Sequence, residues 1–126
     1  MIKIVQESKL VRVCAFFARV FGGVGNLHGI TFRDTIYLMN KISDYEQRVI
    51  WHEVCHTCQF ATLGTVRFIY LYLRDYFRNR RDGMSKSNAY RNIGLEKEAY
   101  ANETKEKVLT LYPARKVHIE AVEVYL

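Results

Sequence analysis

Residues 43–64 read SDYEQRVIWHEVCHTCQFATLG, and the run His52-Glu53-Val54-Cys55-His56 inside them decides how the rest is read. Ser43 followed three residues later by Glu46 has the spacing of a capping box, and Asp44 suits a helix start. Gly64 suits the position just past a helix end. These signals predict a helix from about Asp44 to Leu63. On it, His52 and His56 stand one above the other, so both imidazoles reach one metal ion. Zinc accepts such nitrogen ligands and tolerates a tetrahedral site with one open position. Glu53 lies roughly 100° around the helix from His52, beside the ion rather than beneath it. From there it reaches a zinc-bound water as a base. A chance match to this pattern often falls in a loop, whereas this one sits within a helix that has its own start and stop.

Working outward toward the N-terminus, Thr35–Leu38 and Ile30–Phe32 are short β-prone runs, with Arg33 and Asp34 as the turn between them. Residues 22–26 read as a glycine-rich loop. Before it, Leu10, Val13, Cys14, Phe17, Val20 and Phe21 recur at helical spacing, with Ser8 as N-cap and Gly22 and Gly23 as the stop. Ile2–Val5 suits a strand. Toward the C-terminus, TVRFIYLYLRDYFRNRR reads as a third helix. Its stripe of Val66, Ile69, Tyr70, Leu73 and Phe77 is expected to face the core, with Arg67, Arg74, Arg78 and Arg81 in solvent. Residues 82–92 are polar and read as loop. GLEKEAYANETKEKVLTLYP reads as a fourth helix, ended by Pro113. The tail KVHIEAVEVYL alternates and then shifts phase, which predicts a bulged strand. The expected fold is α+β: one domain over residues 1–126, with about four helices and a short sheet beside the metal helix.

Bulk properties agree with one packed domain. The 126 residues are 49% apolar, and nothing in the composition suggests disorder. The apolar stretches are too short or too charged to span a bilayer. Three cysteines lie outside any disulfide-like framework, which suits a reducing cytoplasm. The net charge of +6 admits nucleic acid or an anionic surface as partner, but does not favour either.

A zinc site needs a third ligand. Glu96 and Glu98 both occur in GLEKEAYANE, some 200° apart on a helix, so only one faces the ion. Spacing alone leaves either open. The segments TIYL (Thr35–Leu38), HEVCHTCQ (His52–Gln59) and LEKEAY (Leu95–Tyr100) together resemble the gluzincin branch of the zincin metallopeptidases. The likeness is strongest to the compact bacterial minigluzincin-like domains, and it covers roughly residues 29–104. It implies that His52, His56 and Glu96 are zinc ligands, with Glu53 the general base. It also implies that an edge strand, Thr35-Ile36-Tyr37-Leu38, holds a peptide substrate. Where those domains carry an acid that orients a ligand histidine, this chain has Tyr100, and Glu103 one turn on is a substitute.

A peptidase also needs a donor to the oxyanion. Tyr90, Arg91 and His118 are candidates, with the first two favoured by their place just before the glutamate helix. Cys55 and Cys58 form a C-x-x-C, but Cys55 points away from both histidines, and both read as buried thiols. Trp51, Cys14, His28 and His118 read as structural. The expected function is zinc-dependent peptide hydrolysis. The alternative is a zinc-binding module of weak or no activity, whose basic face holds a partner or nucleic acid.

Overall fold

The computed structural model describes residues 2–11 and 29–125. Residues 9–11 are helical, and the rest of the first expected helix, the glycine-rich loop, Cys14 and His28 lie outside the described residues. The architecture is α+β.

Four strands form one sheet: β1 (Ile2–Val5), β2 (Gly29–Phe32), β3 (Thr35–Leu38) and β4 (Val122–Tyr125). Their order is β2-β3-β1-β4. β1 runs parallel to both β3 and β4, and β2 pairs antiparallel with β3. Period-two alternation decides the buried face: Ile2, Ile4, Ile36 and Leu38 are buried, while Lys3 is exposed. At the β2–β3 turn Arg33 takes a left-handed φ of 59°. Thr35–Leu38 is therefore an inner strand, not the expected edge. Two buried apolar side chains make it a core strand, and the edges of the described sheet are β2 and β4.

α1 (Gln47–Leu63) lies across this sheet. Ile50, Val54, Cys55 and Cys58 join the strand isoleucines in one core. Cys55 and Cys58 are thus core thiols, and Trp51 packs against the same cluster. The expected capping box does not form. Ile42–Asp44 is a 3₁₀ turn, Glu46 is the N-cap without a side-chain cap bond, and its carboxylate instead accepts from Arg48 Nε at 2.7 Å.

Gly64 joins α1 directly to α2 (Thr65–Arg81). Its φ of 82° and ψ of 158° belong to a region essentially restricted to glycine. The reversal lays α2 against α1 through Phe68, which stacks on Phe60 at 3.7 Å. Tyr72 continues the stack at 5.7 Å from Phe68. The side of α2 facing the core is therefore the Phe68–Tyr72 side. The stripe expected in the core points outward: Val66 is 84% exposed, Ile69 42%, Tyr70 62%, Leu73 47% and Phe77 64%. Both sides of α2 are apolar, so helical periodicity alone does not choose between them.

Beyond the helical residues 9–11, the described residues hold six α-helices and two 3₁₀ turns, more than the four helices expected. α3 (Lys86–Arg91) occupies what reads as loop and starts at Ser85, whose hydroxyl accepts from Asn88 N at 3.2 Å. The expected fourth helix is two: α4 (Gly94–Ala101) and α5 (Lys105–Leu111). They separate at Asn102–Thr104, where the Thr104 hydroxyl caps α5 by accepting from Lys107 N at 3.2 Å. Asp75 of α2 accepts from Gly94 N at 3.0 Å and so caps α4 from another helix. Pro113 opens a 3₁₀ turn, and α6 (Lys116–Glu120) replaces the first half of the expected tail strand. No helix among the described residues is long and apolar enough to cross a membrane.

Candidate metal centre

α1 presents His52 and His56 one turn apart, and α4 presents Glu96 opposite them. The three residues are almost inaccessible, at 7%, 5% and 2% exposed. Glu96 Oε2 is 3.1 Å from His52 Nε2, and Oε1 is 2.8 Å from His56 Nε2. One donor atom from each residue lies within 4.8 Å of the other two. Donors on a tetrahedral zinc lie roughly 3.3 Å apart, given Zn–N near 2.0–2.1 Å. The two histidine–carboxylate separations, each to a different oxygen of Glu96, are shorter than that by a few tenths of an ångström. Two imidazoles and a carboxylate also match the donor set of a catalytic zinc site. The residues fit the ion.

The outer nitrogens are held as a zinc site requires. His56 Nδ1 is 2.8 Å from Gln59 Oε1, and Gln59 Nε2 donates to Leu95 O at 2.9 Å and to Glu98 Oε1 at 3.2 Å. Because the amide nitrogen is committed to α4, its oxygen accepts from His56 Nδ1–H. His52 Nδ1 faces the Glu103 carboxylate at 3.4 Å. Arg48 Nη1 lies 3.7 Å from the other oxygen of that carboxylate. Both Nε2 atoms are thereby aimed at Glu96.

The charges are strongly coupled. Burial opposes a charge on His56, but the Glu96 carboxylate outweighs it and raises the imidazole to about 9. Burial likewise works against ionised Glu96, yet the two histidines hold it well below the usual carboxylate range. A divalent cation, if bound there, would compete with a proton for the same inward nitrogen of His56.

Glu53 sits one residue beyond His52 on α1. Thr31 Oγ1 on β2 donates to Glu53 Oε2 at 2.6 Å, tying the carboxylate to the edge strand. Glu98 is outside the cluster: its carboxylate receives Gln59 and the Tyr112 hydroxyl. Tyr100 packs its ring on His52, centroids 4.4 Å apart, so it does not take the place of an orienting acid. Glu103 does, from the break after α4 rather than from a further helical turn.

Of the oxyanion candidates, Tyr90 belongs to the site. Its phenol lies close enough to Glu96, Tyr72 and Tyr100 to feel their charges, and burial with the nearby Glu96 charge pushes it far up. Arg91 is exposed and acts on Tyr100 through its charge. His118 stands apart on α6 beside Arg115. Three contributors escaped the sequence reading of roles. Gln59 had a usable signal, three residues after His56. Thr31 and Tyr72, whose hydroxyl donates to Glu96 Oε1 at 3.3 Å, had none.

Comparisons with protein-family models, with curated proteins and with solved structures returned no match.

Proposed function

We propose that this chain is a zinc-dependent metallopeptidase, built as a small zincin-like domain. The observation that carries the reading is the convergence of His52, His56 and Glu96 from two helices, with Glu53 beside them. Zinc, when bound, supplies Lewis acidity toward a water and a peptide carbonyl. Glu53 takes the water's proton and returns it to the leaving amine. Thr31 occupies Glu53 Oε2, which leaves Oε1 for that proton. The strand open to a peptide is then β2, at the sheet edge next to α1. Tyr72, whose hydroxyl reaches Glu96, and Tyr90, which feels the same charge, serve as donors to the developing oxyanion. We place the chain in a reducing cytoplasm, on the buried free thiols Cys55 and Cys58.

The testing experiment is metal analysis by mass spectrometry on wild type and Glu96→Ala, followed by peptidase assays with Glu53→Gln. One zinc per chain, lost in Glu96→Ala, with turnover lost in Glu53→Gln at full zinc, is the expected outcome. No zinc in the wild type after incubation with the metal sinks the proposal. Full zinc without turnover on a broad peptide library favours the binding-module reading.

A further inference from the structure

We propose that the outer face of α2 docks on an anionic membrane surface. The inner side of α2 is committed to the protein: Phe68 stacks on Phe60, and Tyr72 bonds Glu96. Val66, Ile69, Tyr70, Leu73 and Phe77 stand on the opposite side, within an arc of roughly 100° on a helical wheel. They run about 17 Å along the axis at 1.5 Å per residue. All five are exposed, the least of them by 42%. A continuous apolar ridge of this kind marks an interaction surface.

Charge selects the occupant. α2 carries five arginines, Arg67, Arg74, Arg78, Arg80 and Arg81, against the single acid Asp75. Asp75 is turned inward, onto Gly94 N. Among the described residues, ion pairs along the helix are confined to Arg74–Asp75 and Arg81–Asp82. Arg67, Arg78 and Arg81 flank one border of the ridge and are exposed. An apolar aromatic ridge bordered by arginines is the pattern of a helix lying in a headgroup layer. Its apolar side chains enter the acyl boundary while the guanidiniums meet lipid phosphates. A convex ridge on one helix suits a deformable medium. Nucleic acid would use the arginines and leave Val66, Leu73 and Phe77 without purpose.

The test is co-sedimentation of the full chain with phosphatidylcholine vesicles, with and without about 30% phosphatidylglycerol, at roughly 0.1 and 0.5 M salt. Wild type is expected to partition onto the anionic vesicles at low salt and to leave them at high salt. Ile69→Ser, Leu73→Ser and Phe77→Ser together abolish partitioning. Arg67→Gln, Arg78→Gln and Arg81→Gln together weaken it by about a hundredfold. Circular dichroism melts stay near wild type for both variants, because the altered residues are exposed. Three outcomes overturn the proposal: no partitioning of wild type onto anionic vesicles; partitioning that the apolar variant leaves unchanged; or a wild-type dimer that the apolar variant dissociates, with no vesicle affinity, which assigns the ridge to a second copy.

Discussion

Gln59 fixes the ring of His56: its amide oxygen sits 2.8 Å from Nδ1, while its nitrogen is spent on α4. The histidine that would offer Nε2 to the proposed ion is therefore locked by a residue one turn along its own helix. Gln59→Leu keeps the volume but leaves His56 Nδ1 without its acceptor. Zinc affinity is expected to fall roughly 10- to 100-fold. A competition titration against a chelating dye measures it. Unchanged affinity removes Gln59 from the site.

In the proposed zinc site, metal and proton would compete at His56, and the sign of the pH dependence follows. In chelator-treated protein, His56 titrates at about 9, above its unfolded value. Its stabilising contribution is full below about pH 6.5 and is lost as pH rises through 9. Glu96 shifts down, so its contribution is present above about pH 4.3 and is lost on acidification. Metal-free protein is thus expected to be most stable between about pH 5 and 6.5. Zinc affinity rises over the range in which His56 loses its proton. Calorimetry in buffers of different ionisation enthalpy should show close to one proton released per zinc near pH 7. Zero release contradicts the prediction.

Glu96 and Glu98 are expected to separate cleanly. Glu96→Ala removes a donor and abolishes stoichiometric zinc. Glu98→Ala removes the acceptor of Gln59 and Tyr112, and costs about 1–3 kcal/mol of folding stability. Zinc stays at one per chain. Metal analysis paired with urea unfolding distinguishes the two, and the opposite pattern would exchange their roles.

Thr31 is predicted to matter for turnover and not for metal. Thr31→Val frees Glu53 from the edge strand. With a cleavable peptide in hand, kcat is expected to drop about tenfold at full zinc occupancy. A loss confined to KM would instead make Thr31 a substrate contact.

Gly64→Ala tests the hinge between α1 and α2. The glycine's φ and ψ are closed to alanine, although open space surrounds the added Cβ. The strain costs on the order of 1–3 kcal/mol, read as a lower unfolding midpoint. Wild-type stability would mean that the backbone relaxes there without penalty.

The parts of this molecule that were legible in sequence are those where local chemistry and tertiary structure agree. The His52–His56 helix, the Gly64 stop and the two short strands turning at Arg33 and Asp34 were each legible. The failures arise where a segment offers two readings. α2 is apolar on both sides, and only the stack of Phe60, Phe68 and Tyr72 decides which turns inward. Thr35–Leu38 reads equally as edge or inner strand until β1 is seen beside it. Ser43 has capping spacing, yet the chain spends that turn in a 3₁₀ segment so that Ile42 N can reach Gln6. The break at Asn102–Thr104 hides within a helix-favouring run, and it is this break that delivers Glu103 to His52. The first helix lies mostly outside the described residues.

His52 and Glu96 are 44 residues apart in the chain and meet on opposing helices. An ion held between them would act as a cross-link as well as a reagent. By the loop-closure estimate used for disulfides, tying a loop of 44 residues is worth about 4 kcal/mol. α2 and α3 lie inside that loop. Stripping the metal would therefore loosen not only the reaction centre but the whole excursion of chain between its ligands, the arginine-bordered ridge included.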